Sequence, residues 1–293
     1  FAYDILAGLS EASPGAFAAV EYRLVDVNEA VIAQALAAMA QVGLSEKVEA
    51  EIADSTDGLE PIEGVVLANE VADALPVHRL VWRDGRAREL LVGWRDGWFV
   101  EVESDCSPSA QEAVDELSRD ETIAFSEGDR FEVSPAAANW FRAAAESLER
   151  GYAITLDYGY PANELYRAHR LEGTVRGYAE HTVTDDPFIR IGKQDLTAHV
   201  DFSALIRAGE TAGMTLAGLT TQGDFLAALG LGEHLVAMQT EPGMTMEQYL
   251  AAQAAVLRLI DPGGLGRFRV LAMAKNAPVD LPLRGFRALR GLF

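Results

Sequence analysis

Cysteine is nearly absent from this sequence. Cys106 stands alone among 293 residues, so no intrachain disulfide can form, and a reducing compartment suits the chain. Cationic residues are scarce too: Lys and Arg total 24 against 45 Asp and Glu, a formal charge of −21. A surface that negative repels a phosphate backbone, which argues against a nucleic-acid partner and favours a cationic ligand or a basic protein segment. No apolar run reaches the roughly 18 residues that a membrane-spanning helix needs. No signal peptide is evident, and because the chain opens at Phe1 rather than Met, what precedes Phe1 is out of view. The expected location is cytoplasmic, with no membrane insertion. The five histidines are scattered, with no pair at i, i+4, so no metal site is expected. Neither the Gly-x-Ser-x-Gly elbow of a serine hydrolase nor the Gly-x-Gly-x-x-Gly turn of a nicotinamide enzyme is present.

What is present centres on residues 64 to 76, GVVLANEVADALP. The apolar run Val65–Ala68 reads as a buried strand that ends in Asn69, Glu70 and Asp73 before Pro76 stops the turn. Ligands of open α/β sheets bind beyond the carboxyl ends of the parallel strands. If Asn69 to Asp73 begin a helical turn, spacings of three and four residues let the three polar side chains share a face. The alternative is that Asn69 or Glu70 caps the helix start and Asp73 complements its dipole.

The elements around this stretch alternate. Phe1–Leu9 has helical spacing; Tyr22–Val27 is a strand carrying Asp26 near its end. Asn28 is a candidate N-cap for a helix with Ile32, Ala35, Leu36 and Met39 inward and Gly43 at its end, and Val48–Ala53 is a further strand, followed by the polar loop 54–58. Such alternation specifies a parallel α/β sheet. From His78 to Glu103 the pattern turns to short strands with Asp84-Gly85 and Asp96-Gly97 turns, which is hairpin chemistry. Ser109 and Glu112 have capping-box spacing, Phe131–Val133 is a short strand, and Ser134-Pro135 opens a helix with Phe141, Ala144, Ala145 and Leu148 inward and Gly151 at its end. Tyr152–Leu156 is a strand ending in Asp157-Tyr158-Gly159-Tyr160. Residues 161–200 hold His169, His181 and His199 with weak periodicity and read as a covering loop. Asp201 caps a helix to Ala212; Met214–Thr220 is a strand and Phe225–Leu229 a short helix. Thr245 and Gln248 box the start of a helix with Leu250, Ala254 and Leu257 on its inner stripe, and Arg267–Lys275 is a last buried strand. By position Asp26 is where a nucleotide-binding sheet holds a ribose; a solvated strand-end acid is the alternative.

The strings ANEVADALPVHRL (68–80), LDYGY (156–160), GTVRGY followed by His181, DPF (186–188), QDLTAHVDFSAL (194–205), TQGDFL (221–226) and FRVLAMAK (268–275) occur in one order along nearly the whole chain. Together they resemble the MidA-type family of S-adenosylmethionine-dependent methyltransferases, which includes a mitochondrial protein arginine methyltransferase that assists assembly of respiratory complex I. The resemblance implies an α/β class I methyltransferase fold, a Rossmann-like doubly wound sheet with an antiparallel excursion and helical and loop insertions. Residues 1–77 and 150–293 would form the core, 78–133 an antiparallel insertion and 161–200 a covering lobe. The family's glycine-rich loop would stand immediately upstream of Phe1, and Val71-Ala72 replace two residues that tend to be aromatic in the family.

The implied cofactor is S-adenosylmethionine, with Asp26, Asp54, Ser55 and Asn69 as its expected contacts. The implied partner is a protein substrate, by resemblance a respiratory-complex subunit, in the mitochondrial matrix if the source is eukaryotic; a homodimer is compatible with either. Methyl transfer from a sulfonium is an in-line displacement, so alignment and water exclusion are the protein's task. Glu70 and Asp73 are candidates to grip an acceptor guanidinium, with Asn69 orienting and Asp157, Tyr158, Arg176 and Gln194 completing the substrate pocket. His199 is the candidate proton acceptor, a structural role being the alternative. Two other functions fit the same pattern, a noncatalytic assembly module and a small-molecule methyltransferase.

Overall fold

Caps and parallel pairing organise the chain into two compact units, Phe1–Leu59 and Glu60–Phe293. The expected boundaries at 77, 133 and 150 fall inside the second. The structure is a computed structural model that describes every residue except 55, 57, 168–171, 180, 181, 281, 282 and 288–293. Ser55, His169 and His181 therefore lie outside the described residues.

In the first unit α1 (Ala2–Ala12) and α2 (Pro14–Ala19) precede β1 (Tyr22–Asp26). The Asn28 side chain accepts the Ala30 and Val31 N–H groups and so starts α3 (Glu29–Gln41), after which β2 (Val48–Ile52) runs parallel to β1, with Asp26 opposite Ile52. Leu6, Met39 and Val48 are buried together. Of the expected inner face of α3, Ile32 and Met39 are buried but Leu36 is exposed, because a two-stranded sheet covers only a narrow stripe of helix.

The second unit opens with β3 (Ile62–Asn69). An antiparallel sheet follows, made of β4 (His78–Arg83), β5 (Arg86–Arg95), β6 (Trp98–Ser104) and, after α4 (Pro108–Leu117), β7 (Arg130–Val133), in the order β6-β5-β4-β7. Asp84 and Asp96, with the glycines after them, take positive φ, as the two hairpin turns require. One face of this sheet, with Leu80, Ala87 and Phe131, packs on Ala110, Val114 and Leu117 of α4. The Ser109–Glu112 capping box does not form: Pro108 already occupies the first helical turn behind Ser107, and the Ser109 hydroxyl bonds the His78 ring instead.

Next come α5 (Pro135–Glu146), capped by Ser134 Oγ on the Ala137 N–H, and β8 (Leu148–Asp157). Small elements then cover 159–201: β9 (Gly159–Tyr160), α6 (Ala162–Leu165), β10 (Arg176–Ala179), β11 (Thr182–Thr184), β12 (Asp195–Thr197) and β13 (Val200–Asp201). Asp201 Oδ1 caps α7 (Phe202–Thr211), and β14 (Thr215–Thr221), α8 (Gln222–Leu229), α9 (Leu231–Met238), α10 (Met246–Ile260) and β15 (Arg269–Lys275) complete the unit.

The main sheet has the order β14-β15-β8-β3, with β3 parallel to β8 and the other pairs antiparallel. Its core joins Phe141, Phe202, Leu205, Leu271 and Met273. Three sequence expectations change here. Val65 is 53% exposed rather than buried, because β3 pairs with β8 alone in this sheet. The Thr245–Gln248 box forms in full, yet Leu250 and Leu257 on the expected inner stripe of α10 are exposed. Leu148 and Gly151 belong to β8 and not to α5.

Gly151 lies opposite Gly64 in the β3–β8 pair, at φ 140°, and a Cβ there would stand 1.8 Å from the Gly64 carbonyl oxygen. Gly151→Ala should therefore cost more than about 3 kcal/mol in urea unfolding, through strain and strand separation. Gly213→Ala, at φ 81° with open space around the Cβ, should cost only about 1 kcal/mol.

Candidate active site

The polar side chains at the ends of β3 and β8 do not share one face. Asn69 and Glu70 are exposed, whereas Asp73 is buried and Asp157 is wholly so. After β3 the chain turns sharply through Glu70, whose φ of 51° is uncommon for a non-glycine residue, and the Glu70 N–H still reaches the Leu156 carbonyl at 2.9 Å. Only a short 3-10 turn follows, Ala72–Ala74, with no local side-chain cap. Its cap comes from the neighbouring strand. Asp157 Oδ2 accepts the Ala72 N–H at 3.0 Å and the Asp73 N–H at 3.3 Å, while its Oδ1 accepts the Tyr158 N–H at 2.8 Å. The local-cap role considered for Asn69 or Glu70 is thus filled by Asp157; the Asn69 amide donates to Glu70 Oε1 at 3.4 Å.

The Tyr158 hydroxyl donates to Asp73 Oδ2 at 2.5 Å, and Asp73 Oδ1 is buried without a hydrogen-bond partner among the described residues. Burial raises the Asp73 carboxyl, against the opposing pull of the Tyr158 hydroxyl. Burial, then the Asp73 charge, push Asp157 up to about 8 despite its three N–H donors. Burial and the bond to Asp73 raise the Tyr158 phenol. Near neutral pH Asp157 therefore keeps its proton, in a buried corner where two carboxyls cannot both ionise at low cost.

The covering segment is tied to this corner by bonds that no local pattern reveals. Glu132 Oε2 accepts both the N–H and the hydroxyl of Thr174, at 2.7 and 2.8 Å, and Thr174 Oγ1 accepts the His199 N–H at 3.1 Å. The Ala198 N–H donates to the Asp73 carbonyl at 3.0 Å. The His199 ring lies 5.7 Å from both the Tyr158 and Tyr160 ring centroids and lines a cleft among α4, α5 and α7, whereas Asp73 lines a different groove. Arg176 pairs with Asp185 at 2.8 Å, and the Gln194 amide donates to the Pro187 carbonyl at 2.8 Å, so both tie the covering segment to itself, while Gln194 Oε1 is buried without a partner among the described residues. In the first unit Asp26 and Asp54 follow the carboxyl ends of β1 and β2; Asp26 Oδ1 accepts the Asn28 N–H at 2.8 Å, and Asp54 is exposed. No group of His, Cys, Asp and Glu among the described residues could hold a metal ion, and no described helix is long and apolar enough to cross a membrane.

A family model described as "Putative S-adenosyl-L-methionine-dependent methyltransferase" matches residues 1–220. The chain belongs to this methyltransferase family. Among curated relatives it is 32% identical over 223 residues to the "Protein arginine methyltransferase NDUFAF7 homolog, mitochondrial" of Drosophila melanogaster, covering 71% of this chain and 46% of that protein. It is 31% identical over 179 residues to the human protein arginine methyltransferase NDUFAF7, covering 58% and 36%. The chain thus spans about half the length or less of the curated relatives it matches. A protein from Burkholderia thailandensis solved bound to S-adenosyl-homocysteine superposes with a TM-score of 0.80 at 35% identity, covering 92% of this chain and 67% of that one. An uncharacterised protein of the same organism matches with TM-score 0.80 at 33% identity, covering 92% and 69%. The expected class I methyltransferase α/β fold is therefore the fold of this chain.

The residues of this chain fit the family's cofactor, S-adenosylmethionine. Asp26 is a carboxylate at the end of a parallel strand, the acceptor that a ribose diol needs. Glu132 and Thr174 are the positioning residues that sequence reasoning missed; a buried acid in β7 and the GTVRGY string were their only traces.

Because Asp157 keeps its proton in the folded state up to about pH 8 and loses it near 4 when unfolded, the folded state binds the extra proton between these values. Stability from this group is full below about pH 4 and is lost as pH rises through 8. The thermal midpoint should fall from pH 5 to pH 9, and Asp157→Asn should flatten that slope; an unchanged slope in the variant would contradict the assignment.

Proposed function

We propose that this chain transfers a methyl group from S-adenosylmethionine to an arginine side chain of a protein partner. One observation carries the reading: Asp73 is a buried carboxyl just beyond the carboxyl end of β3, with one oxygen held by Tyr158 and the other unpartnered among the described residues. A guanidinium is a planar fork of donors whose natural counterpart is a carboxylate. The relatives named as protein arginine methyltransferases support the same acceptor.

S-adenosylmethionine, when bound, supplies the electrophilic methyl group. Asp26 and Asp54, which follow the carboxyl ends of β1 and β2, are the residues that would hold it. Asp73 fixes the acceptor nitrogen and takes up its positive charge, and the Tyr158 hydroxyl sets the orientation of Asp73. Neutral Asp157 adds no second charge to the pocket. Glu70, exposed on a strained backbone, meets the acceptor from the solvent side. The proton that the guanidinium loses on methylation goes to solvent, with His199, against the Tyr158 ring in the neighbouring cleft, as its later acceptor. The eukaryotic relatives are named as mitochondrial, which suits the mitochondrial matrix in a eukaryote; a cytoplasmic location otherwise, a respiratory-complex subunit as partner and a homodimer as assembly belong to the same proposal.

Asp73→Asn and Glu70→Gln should each lower turnover by about a hundredfold. Calorimetric affinity for S-adenosylhomocysteine and the far-UV circular dichroism should stay at wild-type values. Unchanged turnover in both variants would remove these residues from the mechanism.

A further inference from the structure

Side chains alternate across a strand, so a sheet with one face packed leaves the other to be accounted for. In the antiparallel sheet the α4 side is filled. On the opposite face Leu90 and Val92 of β5 stand beside Phe99 and Glu101 of β6, with Val92 directly opposite Glu101. Phe188, Ile191 and Leu196 of the covering segment face them across a groove of about 440 Å³, and Asp73 lines the same groove together with Leu75 and Pro76. The walls remain apolar where they meet solvent: Val92 is 64% exposed, Ile191 55% and Leu196 45%. Beyond Phe99, exposed Trp94 packs edge-on against it at 4.8 Å and extends the apolar surface to the hairpin tip.

Charge selects the occupant. Arg79, itself in the lining, and Arg130 bracket Glu101 at 2.6 and 2.9 Å, which leaves Asp73 as the carboxyl of the groove that no cation pairs among the described residues. A second copy would bring another −21 charges to this face, and an anionic lipid surface would be repelled likewise. A basic residue set among apolar ones matches both the walls and the carboxylate. We propose that this groove seats the acceptor polypeptide, and that it takes a segment in which apolar side chains flank the arginine presented to Asp73. The inference rests on the arginine methyltransferase reading and adds to it a rule about the residues around the target.

Three fluorescein-labelled peptides test it by anisotropy with the whole chain: arginine flanked by leucine and valine, arginine flanked by serine, and the first peptide with citrulline in place of arginine. The first should bind roughly tenfold more tightly than either of the others. Val92→Glu and Leu196→Glu, both at exposed positions, should each erase its advantage over the serine-flanked peptide while affinity for S-adenosylhomocysteine is kept. Equal binding of the first two peptides, equal binding of the first and third, or an advantage that survives both variants would overturn the proposal. So would a wild-type dimer in sedimentation that Val92→Glu splits while no peptide binds, since the groove would then belong to a second copy. The groove is tested apart from catalysis: a peptide preference that persists without cofactor binding or methyl transfer supports the groove and counts against the methyltransferase reading.

Discussion

The carboxyl group of Asp157 is the constraint on which the site depends. It ends a strand in the centre of the main sheet, is fully buried, and spends its two oxygens on three backbone N–H groups. Two of those belong to the turn after β3, a turn too short to close itself and without a local cap. Removing the carboxyl group would leave those donors buried and unpaired, at a cost of about 1–3 kcal/mol each. The position of Asp73 therefore follows from Asp157, and the position of the covering segment follows in part from Asp73, whose carbonyl receives the Ala198 N–H.

That dependence has an electrostatic consequence. Two carboxyl groups in one buried corner cannot both ionise at low cost, and here the less exposed keeps the proton. The Tyr158 hydroxyl stabilises the Asp73 carboxylate, and Asp73 lines the groove. An anion prepared in this way is suited to a cationic acceptor and costs little reorganisation when the acceptor arrives.

Features set within a few residues were legible in the sequence. Asn28, Ser134, Asp201 and Thr245 each cap the helix that the spacing assigned to them, because a cap bond spans only two or three residues. The Asp-Gly hairpins and the buried last strand were legible for the same reason. Contacts across the fold were not. Asp157 caps a turn 85 residues away, and the pairing of Gly64 with Gly151 places a glycine inside a strand where local pattern suggests a helix end. The outward stripe of α10 shows the converse limit, for periodicity reports that a helix has an apolar side without reporting what covers it. Residue type and strand-end position single out Asp73, Asp157 and Tyr158, but the expected shared face of Asn69, Glu70 and Asp73 does not form, and the bonds by which Asp157 braces the turn and Tyr158 orients Asp73 required distances.

The most direct test of the account is mass spectrometry of an arginine-containing polypeptide incubated with this chain and S-adenosylmethionine carrying a labelled methyl group. The account predicts labelled methyl on a guanidinium nitrogen with the wild-type chain and none with Asp73→Asn. Cofactor binding without label on arginine, or label that persists at the wild-type level in Asp73→Asn, would contradict it.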